Sequence, residues 1–262
     1  MHALERRPTA QWPLMLALAG IIGLAWVYLL SMGWGMAHMQ AGADMLLMPR
    51  MTDWGTGDLA LVFLMWAVMM VAMMLPSALP MVSAMRAMQA KSPSGASAWQ
   101  TAAFVAGYVA VWTAFSVIAT LVQWALLHAR WVTPMMELRS PLVAGALLLG
   151  TGAFQFSPLK HACLNTCRSP LSFLMTRWQA GTPGAWRMGL EHGMWCTGCC
   201  WLLMALLFVL GVMNVAWIAA LTAFVLIEKA WPATWPLARA ISPAAGLALM
   251  AWGLTLILGA GG

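Results

Sequence analysis

Long apolar runs alternate along this chain with short segments that carry most of the charged residues. A helix needs roughly 20 apolar residues to cross a bilayer core of about 30 Å. Runs near this length lie at about 13–32, 59–79, 101–127, 142–156, 190–211, 213–227 and 244–258, with a short amphipathic interfacial helix expected at about 170–179. The pattern predicts an all-α, polytopic transmembrane bundle of about seven spans. The whole chain, 1–262, is expected to form one integral membrane domain.

The composition supports the same class. Hydrophobic residues make up 63% of the chain, charged residues 8%, and the mean hydropathy is +0.82. A soluble domain usually has about 25% charged residues. The composition therefore excludes an ordinary soluble domain and makes the lipid bilayer the first expected partner.

The distribution of basic residues predicts the orientation, because cytoplasmic loops carry an excess of Lys and Arg. An inside N-terminus and an outside C-terminus assign ten of the 13 basic residues to the cytoplasm, namely Arg6, Arg7, Arg86, Lys91, Lys160, Arg168, Arg177, Arg187, Lys229 and Arg239. The net charge of +6 is then explained by loops that face anionic lipid. No nucleic-acid partner is expected.

The first apolar run follows Arg6 and Arg7, as the apolar region of a signal peptide would. It is about twenty residues long and lacks a small-residue exit of the A-x-A type. We therefore expect a retained helix rather than a cleaved signal peptide.

The segment EHGMWCTGCCW, residues 191–201, places an acid, an imidazole and three thiols in a run that otherwise reads as membrane-spanning. Such groups are costly at membrane depth and indicate a functional site. At 100° per residue, a helix puts Met188, His192, Cys196 and Cys199 on one face. Cys200 lies beside that face, whereas Glu191 diverges from it. Thioether, imidazole and thiol ligands suit Cu(I), or Zn(II) if the thioether is left out.

A second group of candidate ligands precedes this segment. The predicted topology brings His161, Cys163 and Cys167 to the cytoplasmic surface from which the fifth span starts. Glu228 and Lys229 end the sixth span at the same surface. The two Cys/His groups, some 30 residues apart in sequence, are therefore expected to meet there.

The predicted site has Cys196 and Cys199 as its central thiolates. His192 and either Cys163 or Cys167 would complete a three- or four-coordinate site. Glu191 and Glu228 would be outer or proton-handling groups. Two thiolates with Cu(I) leave a negative charge that requires a partner at this depth, and Lys229 or Lys160 would supply it.

Methionine is unusually frequent, at 24 of 262 residues. The accessory candidates in the second span are Met69, Met70, Met73 and Met74, ahead of Pro76 and Pro80, which should free backbone carbonyls and bend the helix. The loop that follows the first span adds Met36, His38, Met39, Met45 and Met48. A series of thioethers leading to the Cys/His site would make a route for copper, although methionine also simply fills gaps in apolar interiors.

Three segments together resemble a known family. HGMWCTGCCWLLM, MVAMMLPSALPM and FQFSPLKHACLNTC are similar to the signature blocks of a bacterial family of predicted metal-binding integral membrane proteins, a domain of unknown function. The resemblance implies metal binding and a multi-pass location in the bacterial inner membrane. The positions able to ligate in these blocks are His161, Cys163, Cys167, Glu191, His192, Cys196, Cys199 and Cys200.

Three functional classes follow. The first is metal handling, with Cu(I) and alternatively zinc bound near the cytoplasmic face and exchanged with a donor or acceptor protein. The second is a membrane oxidoreductase, either metal-dependent or a thiol–disulfide exchanger using Cys196 and Cys199. The third is an assembly subunit that holds a partner's cofactor. The sequence leaves open whether the chain is an enzyme and whether it forms homo- or hetero-oligomers, and it has no nucleotide motif for ATP-driven pumping.

Overall fold

The structure is a computed structural model that describes residues 12–37, 54–90, 97–132, 138–231 and 236–260. These residues form helices α1 (Trp12–Ala37), α2 (Thr56–Ala90), α3 (Ala98–His128), α4 (Pro141–Phe154), α5 (Pro158–Arg168), α6 (Pro170–Arg177), α7 (Gly181–Ala205), α8 (Leu207–Leu210), α9 (Val215–Ala230) and α10 (Pro236–Gly259). An isolated antiparallel bridge joins Val132 and Leu138. The all-α fold class is confirmed for this part of the chain.

Five helical segments of the described chain are long and apolar enough to cross a membrane: Pro13–Gly35, Thr56–Ala90, Ala98–His128, Gly181–Leu210 and Arg239–Gly259. Helices α4 and α5 would add a sixth span if they cross together, although they meet at a bend of 62°. Helix α9 has 16 residues, which is short for a span. The seven-span count therefore stays a prediction.

The sequence placed the start of one helix differently from the structure. Helix α7 begins at Gly181 rather than near Leu190, because the helix continues beyond its apolar run into a more polar stretch. The segment after the fourth run folds into α5 and α6, and α6 lies where a short amphipathic helix was expected at about 170–179. Ser157 and Pro158 start α5, since the Ser157 side chain accepts a hydrogen bond from the Lys160 backbone and Pro158 needs no donor there.

Glycines allow two helix pairs to pack with their backbones close together. A Cβ atom on Gly189 of α7 would lie 2.0 Å from the carbonyl oxygen of Phe104 on α3. A Cβ atom on Gly107 of α3 would lie 2.4 Å from the carbonyl oxygen of Trp186. Close approach through small residues is typical of helices packed in membranes. This crossing brings α3 against the cysteine-bearing face of α7.

Helices α4 and α10 repeat the arrangement. Gly152 faces Gly246 and Gly145 faces Gly253, and a Cβ atom on Gly152 or Gly253 would stand 2.6 or 2.7 Å from the opposite glycine's carbonyl oxygen. The two contacts are seven residues apart on both helices. That spacing is two helical turns, so the glycines share one face of each helix.

Helix α2 runs through Pro76 and Pro80. Pro76 has no N–H to donate, which frees the carbonyl of Ala72 one turn earlier. The indole Nε1 of Trp26 on α1 donates to this carbonyl at 3.2 Å. A carbonyl that the sequence predicted to be free thus joins α1 to α2.

Candidate metal site

Four thiols from two helices are neighbours in the bundle. The side chains of Cys167, on α5, and Cys200, on α7, each interact with those of Cys196 and Cys199 on α7. We call these four residues the thiol cluster. All are free cysteines, and Cys196, Cys199 and Cys200 are each 1% exposed. The two Cys groups that the sequence places some 30 residues apart therefore lie together.

The fifth cysteine, Cys163, lies on α5 close to the same face of α7. Its Sγ is 2.8 Å from the point where a Cβ atom on Gly198 would stand. A side chain at position 198 would therefore force the Cys163 thiol to shift. The glycine between Cys196 and Cys199 leaves room for this thiol.

Polar groups from three further helices surround Cys196. Its Sγ lies 3.0 Å from the Tyr108 hydroxyl on α3 and 2.9 Å from Lys229 Nζ on α9. Lys229 also donates to the Ser77 hydroxyl on α2 at 3.1 Å. A positive charge and a hydroxyl therefore contact one sulfur atom deep in the bundle.

A thioether lies beside the thiol cluster. Met74 Sδ is 4.0 Å from Cys200 Sγ, and the carbonyl oxygen of Met74 accepts a hydrogen bond from Tyr108 at 2.9 Å. The other accessory methionines, Met69, Met70 and Met73, are fully buried in the core on α2. Of these four candidates, Met74 has the recorded sulfur contact with a thiol.

His192 is enclosed by aromatic rings. Phe104, Tyr108 and Phe173 lie 5.9, 5.7 and 5.6 Å from it between ring centroids, and the side chain is 2% exposed. Within the described structure its Nδ1 atom has no hydrogen-bond partner. A buried polar atom without a partner costs about 1–3 kcal/mol. A ligand that binds this nitrogen would offset that cost.

Three predicted candidates lie away from the thiol cluster. His161 is exposed on α5. Glu191 forms an ion pair with Arg177 at 2.9 Å, where both side chains reach solvent. Met188 Sδ accepts from the backbone N–H of Gln179 at 3.4 Å. The loop candidates His38, Met39, Met45 and Met48, and the side chain of Met36, fall outside the described residues.

The two predicted counter-charges have different partners. Lys160 Nζ lies 2.7 Å from Glu228 Oε1, and both side chains are buried. The next residue, Lys229, contacts Cys196. Glu228 is thus paired with Lys160 of α5, and Lys229 is the lysine that contacts the thiol cluster.

Across the described residues, no set of three or more His, Cys, Asp or Glu side chains is placed to hold a metal ion. The predicted three- or four-coordinate site of His192, Cys196, Cys199 and Cys163 or Cys167 is therefore not preformed. The thiols are neighbours, but they do not converge on one point. An ion that requires several such ligands would have to move side chains in order to bind.

A family model comparison decides the broader identity. The model of the PpoB2 family, described as a copper chaperone, matches residues 63–256, about three quarters of the chain. The chain belongs to this copper chaperone family. No curated protein and no solved structure matches it. The metal-related part of the sequence resemblance is therefore confirmed, with copper as the metal that the family description names.

The match to the copper chaperone family covers the candidate site. It begins within α2 and ends within α10, so it includes the thiol cluster, Met74, Tyr108, His192 and Lys229. Helix α1 precedes the matched residues. The candidate site thus lies in the part of the chain that the family model matches.

Sequence reasoning missed two residues of the candidate site. Tyr108 contacts Cys196, and Ser77 accepts from Lys229. Tyr108 carried a usable signal, since it is one of two tyrosines in the chain and lies within an apolar run. Ser77 carried a weaker signal, because it is a hydroxyl residue between Pro76 and Pro80.

Proposed function

We propose that this copper chaperone spans the membrane and carries Cu(I) as its cargo at the thiol cluster. The observation that carries the proposal is the closeness of Cys167 to Cys196, Cys199 and Cys200, the last three of them buried, beside the thioether of Met74. Thiolate and thioether sulfur are the ligands that select Cu(I) among biological metals. The family description supports copper as the cargo.

The arrangement of the thiols favours Cu(I) over Zn(II). Structural zinc sites are almost always tetrahedral, with four ligands. The described residues offer no set of three or more suitable side chains around one point. A Cu(I) ion can be held by two thiolates, so neighbouring thiols suffice without a preformed cage.

Lys229 fits the charge that such a complex would carry. Two thiolates and one Cu(I) ion have a net charge of −1, and a buried charge without a partner is strongly destabilising. The Lys229 ammonium lies 2.9 Å from Cys196 Sγ, where it would compensate that charge. Tyr108 would add a hydrogen bond to the same sulfur. Cys196 is accordingly the ligand with the strongest support from its surroundings.

His192 is proposed as an additional ligand that engages when copper enters or leaves. It precedes Cys196 by one helical turn on α7 and has a buried Nδ1 atom without a partner in the described structure. Imidazole nitrogen is also a copper ligand, and it can share a site with sulfur.

The membrane arrangement is part of the proposal. Seven spans with an inside N-terminus and an outside C-terminus would place the thiol cluster near the cytoplasmic face of a bacterial inner membrane. The basic residues support this orientation, and the long apolar helices are compatible with insertion. A separate donor or acceptor protein would exchange copper with the cluster at that face.

Metal analysis of the protein purified anaerobically in detergent tests the proposed function. We expect copper in roughly equimolar amount, with sulfur neighbours in its X-ray absorption spectrum. Zinc in its place would favour the zinc alternative. A metal-free protein that rejects added Cu(I) would contradict copper carriage, and thiol–disulfide exchange with a dithiol substrate would then be the function to assay.

Replacing Met74 with leucine tests the thioether. Met74→Leu keeps the volume of the buried side chain, which usually costs little stability. It removes the sulfur next to Cys200, so we expect Cu(I) affinity to fall by about tenfold. A competition titration with a Cu(I) chelator measures the change.

Met65→Leu is the matched control, because Met65 is equally buried on the same helix. It should leave the affinity unchanged. Equal Cu(I) affinities for both variants and the wild type would show that Met74 contributes to packing and not to copper binding.

A further inference from the structure

Helix α5, which carries Cys163 and Cys167, is held against α9 by a buried ion pair. Lys160 on α5 is fully buried, and its Nζ lies 2.7 Å from Oε1 of Glu228, which is 2% exposed. Lys160 also donates to the side-chain oxygen of Gln155. A buried ion pair is costly to form and costly to break by removing one partner.

Glu228 holds α5 at two places. The side-chain Oε1 atom binds Lys160 and accepts from the Ser242 hydroxyl of α10 at 2.5 Å. The backbone oxygen of Glu228 accepts from Arg168 Nε at 2.6 Å. Lys160 and Arg168 lie near opposite ends of α5, so one residue of α9 fixes both ends of this short helix.

The same face of α5 carries the lysine and the cysteines. Counting about 100° per residue, Cys163 and Cys167 lie within roughly 60° of Lys160 around the helix. Cys163 and Lys160 are both buried. The docking of Lys160 on Glu228 therefore turns the cysteines towards α7.

We propose that Lys160 is a positioning residue whose ion pair with Glu228 holds Cys167 of α5 against Cys196 and Cys199 of α7. Loss of the pair lets α5 move away, which removes one thiol from the cluster and leaves the three on α7. The copper-binding consequence rests on the proposed function, whereas the positioning of Cys167 does not. Lys160 thereby governs how many thiols a bound ion meets.

The test compares three variants with the wild type, all metal-free and anaerobic. Lys160→Met breaks the pair. Lys160→Met with Glu228→Gln removes both charges, so that no unpaired charge remains buried if the single variant folds poorly. Arg177→Met is the matched control, because it breaks the exposed ion pair with Glu191. The rate of maleimide alkylation at each cysteine is followed by mass spectrometry.

We expect alkylation of Cys167 to speed up by about tenfold or more in both Lys160 variants. Cys200, which lies on α7, should keep its wild-type rate, and Arg177→Met should change neither rate. Unchanged Cys167 reactivity in both Lys160 variants would overturn the proposal. An equal rise at Cys200 would also overturn it, because that would report general loosening of the bundle.

Cu(I) titration of the same proteins separates this inference from the proposed function. If the wild type binds Cu(I) and Lys160→Met binds it more weakly while Cys167 becomes reactive, both stand. If Cys167 becomes reactive but the wild type binds no Cu(I), the positioning stands and the copper function fails. If the wild type binds Cu(I) and Cys167 keeps its wild-type alkylation rate in the variants, the positioning fails alone.

Discussion

Replacing both Cys196 and Cys199 with serine is expected to abolish copper binding by this protein. Each of these thiols interacts with both Cys167 and Cys200, so removing the two leaves no interacting pair among the four. A serine hydroxyl is a hard, neutral ligand that Cu(I) does not select. Serine is also slightly smaller than cysteine, so the helix should still pack.

Copper content after anaerobic reconstitution measures the loss, with insertion into the membrane fraction as the check on folding. Thr197→Ala is the control for disturbance of α7. Thr197 lies between the two cysteines, and its hydroxyl bonds to the backbone oxygen of Gly193 within the same helix. It should retain copper. Full copper content in the double cysteine variant would show that the site lies elsewhere.

Replacing Gly189 with alanine is expected to destabilise the bundle severely. The new Cβ atom would stand 2.0 Å from the carbonyl oxygen of Phe104, and a backbone atom cannot turn aside as a side chain can. Helices α3 and α7 would have to separate, at a cost of about 3 kcal/mol or more. Tyr108 and Cys196 lie on these two helices, so their contact should be lost as well.

Thermal unfolding in detergent measures this effect against Gly150→Ala. Gly150 lies on α4, where a Cβ atom would meet nothing within 4 Å. Alanine is the better helix former, so this control should be neutral or slightly stabilising. If both variants melt at the wild-type temperature, the close crossing of α3 and α7 is wrong.

The sequence predicts the long apolar helices of this fold because the length of an apolar run is a local property of the chain. It cannot rank candidates that differ in tertiary contacts. The predicted topology made Lys229 the nearest candidate for the counter-charge and left Lys160 as an alternative, and the structure pairs Lys160 with Glu228 and places Lys229 against Cys196. Glu191 looked like a ligand from its neighbours in sequence, but it faces Arg177 of another helix.

Met188 illustrates a different limit. The helical angle correctly puts it on the face of Cys196, yet eight residues separate them, which is about 12 Å along the helix axis. The helical angle does not account for this rise along the axis. The Met188 sulfur instead accepts a hydrogen bond from the backbone N–H of Gln179. Met74 has no special position in its run of methionines, and only the tertiary structure brings its sulfur within 4.0 Å of Cys200 Sγ.

The deep burial of the three α7 thiols has a kinetic consequence. Cys196, Cys199 and Cys200 are each 1% exposed, so an acceptor cannot touch an ion bound among them while the helices stay packed. Release would then follow a transient opening of the bundle. The exchange rate should level off as acceptor concentration rises, instead of increasing in proportion to it. The opening rate of the bundle would then limit the rate of copper transfer, which would not depend on the strength of the copper–sulfur bonds alone.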